Sequence, residues 1–114
     1  MNKITSNEYG YVEGTLAIAC TDIAQGLTNT QLQNDNGNFP VMCEISAEGN
    51  NVRFAFGVDP TQGADGSGAV GRVLYAADSY RILNARNIQT LRFINATNGN
   101  NAYLQVNMFY EVGK

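Results

Sequence analysis

Val52-Arg53-Phe54-Ala55-Phe56, then Asp59-Pro60-Thr61-Gln62-Gly63-Ala64-Asp65-Gly66-Ser67-Gly68, then Arg72-Val73-Leu74-Tyr75 and, past the corner Ala76-Ala77-Asp78-Ser79, Tyr80-Arg81-Ile82: two extended runs embrace a long turn-rich loop. Val52, Phe54 and Phe56 alternate with Arg53, Ala55 and Gly57, the period of two that sets apolar side chains on one face of a strand. Within the loop, Gly66-Ser67-Gly68-Ala69-Val70-Gly71 spells G-x-G-x-x-G. A dinucleotide site needs a helix directly after those glycines, and an acid about 20 residues further on for the ribose. The residues that follow, Arg72-Val73-Leu74-Tyr75, are extended and short, and Ile88 to Leu91 holds no acid. No Lys-Ser or Lys-Thr completes a P-loop. The stretch reads as two strands joined by a flexible surface hairpin loop, and no nucleotide cofactor is expected.

Outward from this centre the same period recurs. Leu16, Ile18 and Cys20 alternate with Thr15, Ala17 and Ala19, and Val41, Cys43, Ile45 and Ala47 alternate with Met42, Glu44, Ser46 and Glu48. Gly49-Asn50-Asn51 is short enough to make Val41–Glu48 and Val52–Val58 a hairpin. Ile88 to Ile94 reads as a strand whose two faces are too alike for the core side to be chosen. The Asn98-Gly99 pair is the strongest short hairpin signal. The longest run follows it, with Ala102, Leu104, Val106, Met108, Tyr110 and Val112 on one face and Tyr103, Gln105, Asn107, Phe109 and Glu111 on the other. Thr21 to Gln33 has room for a helical turn but lacks the apolar stripe of a stable helix. The expected fold is all-β: a single-domain, jelly-roll-like β-sandwich of seven to eight short antiparallel strands. Residues 13–114 form this domain and residues 1–12 a polar, flexible N-terminal arm.

Composition narrows the function. The 114 residues suit one domain, and only 15% of them are charged, against a usual share of about 25%. Fifteen Asn residues carry much of the polarity. Residues 1–50 hold one base and six acids, residues 51–114 six bases and four acids, so no basic stripe exists for a phosphate backbone and nucleic acid is not an expected partner. The five arginines Arg53, Arg72, Arg81, Arg86 and Arg92 either pair with acids across an interface or form ordinary surface ion pairs. Histidine is absent, which removes Ser-His-Asp and Cys-His sites and the commonest metal ligand. No catalytic residues are expected, nor a cofactor or metal. Asp59 and Asp65 flank the loop without any EF-hand spacing and read as turn residues. Cys20 and Cys43 have no metal spacing and read as two buried thiols, with a disulfide between them as the alternative. Asn95-Ala96-Thr97 fits the glycosylation pattern only by chance. The N-terminus shows no apolar signal region, and no run reaches the about 20 apolar residues of a membrane span, so neither membrane nor secretion is expected.

Aromatics on otherwise polar faces mark interfaces. Tyr9 and Tyr11 close the arm, which also carries Lys3 and Ile4, and Tyr103 and Phe109 share the minor face of the last run. Lys3, Ile4, Tyr9, Tyr11, Tyr103 and Phe109 are therefore the candidate partner-interface residues.

The order Ile18-Ala19-Cys20-Thr21, Gly26-Leu27-Thr28, Val52-Arg53-Phe54-Ala55-Phe56, Asp59-Pro60-Thr61, Gly71-Arg72-Val73-Leu74-Tyr75-Ala76-Ala77-Asp78-Ser79-Tyr80, Ile88-Gln89-Thr90-Leu91-Arg92-Phe93-Ile94 and Ala102-Tyr103-Leu104-Gln105-Val106-Asn107-Met108-Phe109-Tyr110 resembles the small head decoration, or cement, proteins of tailed bacteriophages. The resemblance spans about residues 15 to 112, with a longer and more Gly-rich loop at Gln62 to Ala69 than that pattern has. It implies a non-enzymatic virion protein made in the host bacterial cytoplasm. Such a protein docks on the capsid exterior against the major capsid protein, as a homo-oligomer, dimer or trimer. The alternatives are a tail, fibre or baseplate component and a carbohydrate-binding β-sandwich module.

Overall fold

The computed structural model describes residues 11–111, with the backbone alone described at Tyr11 and Val12. Eight strands are present among them: β1 (Tyr11–Cys20), β2 (Gln25–Gly26), β3 (Met42–Glu48), β4 (Val52–Phe56), β5 (Arg72–Leu74), β6 (Ser79–Ile82), β7 (Leu91–Asn95) and β8 (Ala102–Glu111). They form two four-stranded antiparallel sheets, ordered β1-β8-β3-β6 and β2-β7-β4-β5. The all-β sandwich expected from the periodicity is what the chain adopts.

The pairings β1–β8, β2–β7, β3–β6 and β4–β5 nest inside one another. The chain is thus a long two-stranded ribbon whose tip is the β4–β5 hairpin, rolled until β8 meets β3 and β7 meets β4. This is the jelly-roll arrangement. Its consequence is that most connections cross between sheets. The hairpin expected across Gly49-Asn50-Asn51 does not form, because β3 pairs with β6 and β8 while β4 pairs with β5 and β7. The Asn98-Gly99 turn is real, with Asn100 N–H donating to Thr97 C=O at 3.0 Å and Gly99 at φ +80°, as a type II turn requires. It nonetheless carries the chain from one sheet to the other rather than closing a hairpin.

Two short helices fill crossings. At α1 (Asn29–Leu32) the Thr28 hydroxyl accepts from Gln31 N–H and the Gln31 side chain accepts from Thr28 N–H, a reciprocal cap. Leu32 is buried, and its carbonyl accepts a hydrogen bond from the Tyr110 hydroxyl. The second helix, α2 (Ala85–Thr90), occupies ground that sequence assigns to a strand beginning at Ile88. Asn84 caps it, accepting from Asn87 N–H at 2.8 Å, and Ile88 turns into the core. The strand proper starts at Leu91.

The core lies between the sheets. Ile45, Leu104 and Val106 face Val52, Phe54 and Phe93, all nearly or wholly buried, and burial of each such side chain stabilises the fold by about 1.5–3 kcal/mol. Cys20 and Cys43 are free thiols inside this core, as expected. Burial pushes both up to about 12. They sit opposite Ala102 and Met108 of β8, about 20 Å apart along that strand and far beyond disulfide reach.

Candidate functional site

The Gly-rich loop is built around a buried cation. Arg53 points out of the sandwich from β4, yet is 4% exposed. Its five N–H donors meet backbone carbonyls of the loop: Nε and Nη2 donate to Gly63 at 3.2 and 2.7 Å, Nη2 to Ala64 at 2.8 Å, and Nη1 to Ala69 and Gly71 at 3.4 and 2.6 Å. The loop closes on itself as Thr61 N–H donates to Val70 C=O at 3.0 Å, and it is tied to the end of the neighbouring β7 as Gly63 N–H donates to Ala96 C=O at 2.7 Å. Glycine is required at position 71, where φ is +103° and a Cβ would stand 2.8 Å from the Phe54 carbonyl oxygen. The flexible hairpin loop expected from sequence is thus a strapped lid over the outer face of the β2-β7-β4-β5 sheet. Its carbonyls point at Arg53, an arrangement that serves the fold rather than a phosphate.

The same lid explains why Ile88–Ile94 had no legible core side. Leu91 and Phe93 face the sandwich interior, opposite Phe56 and Phe54, while Ile94 lies opposite Arg53 on the outer face and is buried there beneath the loop. Among the described residues Arg53 pairs with no acid. Arg81 lies 3.6 Å from Glu44 and Arg92 2.7 Å from Asp59, both as exposed pairs of the kind worth at most about 1 kcal/mol.

A second polar cluster pins one end of the sandwich. Asp22 Oδ1 accepts from Asn95 Nδ2, Gln62 Nε2 and Gly99 N–H, each at 2.8 Å. These donors, Asn95 first, then Gly99 and Gln62, hold the Asp22 carboxyl below the usual carboxylate range. Asn95 is 0% exposed with its amide engaged, so the Asn95-Ala96-Thr97 sequence offers no accessible acceptor.

Between the edges of the two sheets, at β5 and β6, lies an open cleft of about 540 Å³ lined by Arg72, Tyr75, Asp65, Asp78, Ser79 and Tyr80. Its side chains largely engage one another. The Arg72 guanidinium stands 4.8 Å over the Tyr80 ring, and the Tyr75 hydroxyl donates to Asp65 at 2.7 Å, which together with Asp65's charge raises the Tyr75 pKa. Asp59 and Asp65 have separate partners in Arg92 and Tyr75. Among the described residues no three His, Cys, Asp or Glu side chains gather to hold a metal, and no helix is long and apolar enough to cross a membrane.

The interface candidates divide. Lys3, Ile4 and Tyr9 lie outside the described residues, as does the side chain of Tyr11; Tyr11 and Val12, assigned from sequence to the end of the arm, are the first two residues of β1. Tyr103 and Phe109 do share the outer face of the β1-β8-β3-β6 sheet, Tyr103 54% exposed and Phe109 half-buried. They stand at opposite ends of it, about 20 Å apart. Phe109 is flanked by Met42 and Glu13, and Tyr103 by Ala19 and Glu48. Between them the face presents the uncharged Thr15, Ala17, Ser46, Gln105 and Asn107, together with Glu44, which lies opposite Asn107 and is paired to Arg81 of β6. Leu83, directly after β6, is 69% exposed beside the Met42 end. Sequence reasoning named the two aromatics but missed the Met42 and Leu83 contribution. Only the pairing of β3 with β6 and β8 brings those residues alongside Phe109.

No family model and no curated protein matches the chain. A solved chain, from work describing Bacillus endospore appendages as a novel family of disulfide-linked pili, is similar over 99% of this chain and 98% of its own, at 11% identity and a TM-score of 0.46.

Proposed function

We propose that this chain is a non-enzymatic virion structural protein that binds the assembled phage capsid and decorates or stabilises it. One observation carries the reading: the outer face of the β1-β8-β3-β6 sheet is broad and carries apolar groups at both ends, the exposed Tyr103 at one and the half-buried Phe109 and Met42 with the exposed Leu83 at the other. Aromatic anchors around the uncharged Thr15, Ala17, Ser46, Gln105 and Asn107, with the central Glu44 already matched by Arg81, suit a docking surface. Against a capsid lattice the face meets the major capsid protein on the exterior of the particle. The resemblance to head decoration proteins supplies the kind of partner.

Co-sedimentation with undecorated capsids of the same virus tests this. The chain saturates the capsid at a fixed stoichiometry, and the double substitution Tyr103→Ser, Phe109→Ser weakens binding at least tenfold while the far-UV spectrum is unchanged. Wild-type protein left in the supernatant sinks the proposal. The cleft at Tyr75, Asp78 and Arg72 favours a second reading, a carbohydrate-binding module, which glycan binding by the isolated chain would single out. A tail, fibre or baseplate role differs only in where the copies sit.

A further inference from the structure

We infer that β1 is a docking edge for β1 of a second copy of this chain, the two strands pairing antiparallel across a two-fold axis and joining two β1-β8-β3-β6 sheets into one. The inference starts from the direction of the backbone groups. Val41 N–H donates to Phe109 C=O at 2.9 Å, so Phe109 turns its polar backbone toward β3. Because direction alternates along a strand, Leu104, Val106 and Met108 turn theirs toward β1. The register sets these opposite Ile18, Leu16 and Gly14. Glu13, Thr15 and Ala17 therefore aim N–H and C=O away from the sheet. Ala19 has the same orientation, and its carbonyl is reached from outside by Gln25 Nε2 at 2.6 Å.

An open row of this kind is a template for another strand, and proteins that remain single blunt it with a short strand, a bulge, a proline or a lysine. The other three edges among the described residues are short: β2 has two residues, β5 three, and β6 four including Arg81. β1 has ten residues, pairs one-to-one with β8 throughout, contains no Pro, Lys or Arg, and carries a single charge at Glu13. On its inner side Leu16 and Ile18 pack against the core yet remain partly exposed at the same edge. A neighbouring strand would cover them.

A second β1 fits this edge. Centring the pair on Thr15 sets Thr15 opposite Thr15 and Glu13 opposite Ala17, so the one charge on the strand meets a methyl group and never its own copy. Three residue pairs then exchange about six main-chain hydrogen bonds, two per pair. The contact is isologous and closes at two copies. Both outer faces fall on the same side, so Tyr103 and Phe109 of both copies share one surface. The pairing stands whether or not that surface meets a capsid.

The test is the solution mass of the full chain together with two substitutions. Light scattering after size exclusion gives twice the 12.3 kDa chain mass, and Ala17→Pro returns it to one chain mass with an unchanged far-UV spectrum, because the Ala17 N–H takes no part in the internal ladder. Thr15→Cys, whose Cα atoms would face each other within disulfide reach, oxidises to a covalent dimer, while Gln105→Cys on the same face does not. The inference is overturned if wild-type protein at 100 µM or so is monomeric. It is also overturned if Thr15→Cys fails to cross-link, or if the dimer survives Ala17→Pro. Should the chain dimerise only after residues 2–10 are deleted, its own arm covers the edge, and the pairing is again overturned. None of these outcomes reads capsid binding, so the docking proposal is judged separately.

Discussion

Arg53 shows how one residue organises a segment with no secondary structure of its own. All five of its donors are satisfied by loop carbonyls, and a guanidinium presents those donors in a fixed planar fork that no other side chain reproduces. Arg53→Met leaves the carbonyls of Gly63, Ala64 and Gly71 without that donor set, and a lost hydrogen bond to a charged group costs about 1.5–3 kcal/mol. The expected outcome is an unfolding free energy from urea titration lowered by at least that much, with proteolysis inside residues 62–70; unchanged stability and protease resistance would contradict the strap. Gly71→Ala attacks the same feature through the backbone, since φ +103° and the approach to Phe54 both exclude a Cβ. The expected loss, from strain at such a position, is about 1–3 kcal/mol. Asp22 acts through charge. Its folded-state carboxyl is held below the ordinary value of 3.8, so its contribution is complete above that value and disappears as pH falls through it toward the lower folded one. Stability measured from pH 6 down to pH 3 therefore drops in the wild type, and the drop is shallower in Asp22→Asn. Parallel profiles would show that the three donors do not tune this carboxyl. None of these roles was legible in sequence. The alternation correctly put Arg53 opposite Phe54, but what covers that face arrives from a loop ten or more residues away, and Asp22 meets partners 40 and 73 residues distant.

Among the elements, β3 and β8 were readable residue by residue, because one face of each is buried and the other open. The errors fell where local signals were true but local. Asn98-Gly99 forms its turn and Gly49-Asn50-Asn51 its short connection, yet the jelly roll uses both to change sheets. At α2 the spacing of Ile88, Thr90, Arg92 and Ile94 imitated a strand, and the informative residue was Asn84, a preferred helix cap. Asn84→Ala removes the side chain that accepts from Asn87 N–H and should cost about 1 kcal/mol, read as a shift in the thermal midpoint; no shift would mean that the packing of Ile88 alone holds the helix. The buried thiols give a check on the core. Cys20 and Cys43 should react with a thiol reagent at pH 8 only as fast as the chain unfolds, and both together, since they share one sandwich.

At the scale of the whole molecule, nested pairing couples the ends of the chain: β1 meets β8 across the full length of the domain. The surface that results has one broad sheet face with apolar groups at its two ends and one long open edge, which meet along β1. Docking by the face and self-pairing by the edge are compatible, because the two-fold pairing leaves both outer faces on the same side. Small, uncharged side chains at Thr15, Ala17, Ser46 and Gln105 let such a surface lie close against another protein, and the central Glu44 is already matched by Arg81. The measurement that tests docking most directly is a reconstruction of the assembled virus particle at a resolution that resolves strands. The account predicts copies of the jelly roll at repeated lattice positions on the capsid exterior, each with Tyr103 and Phe109 against the major capsid protein. Copies confined to a single vertex, or a β1-β8-β3-β6 face turned to solvent, would contradict it.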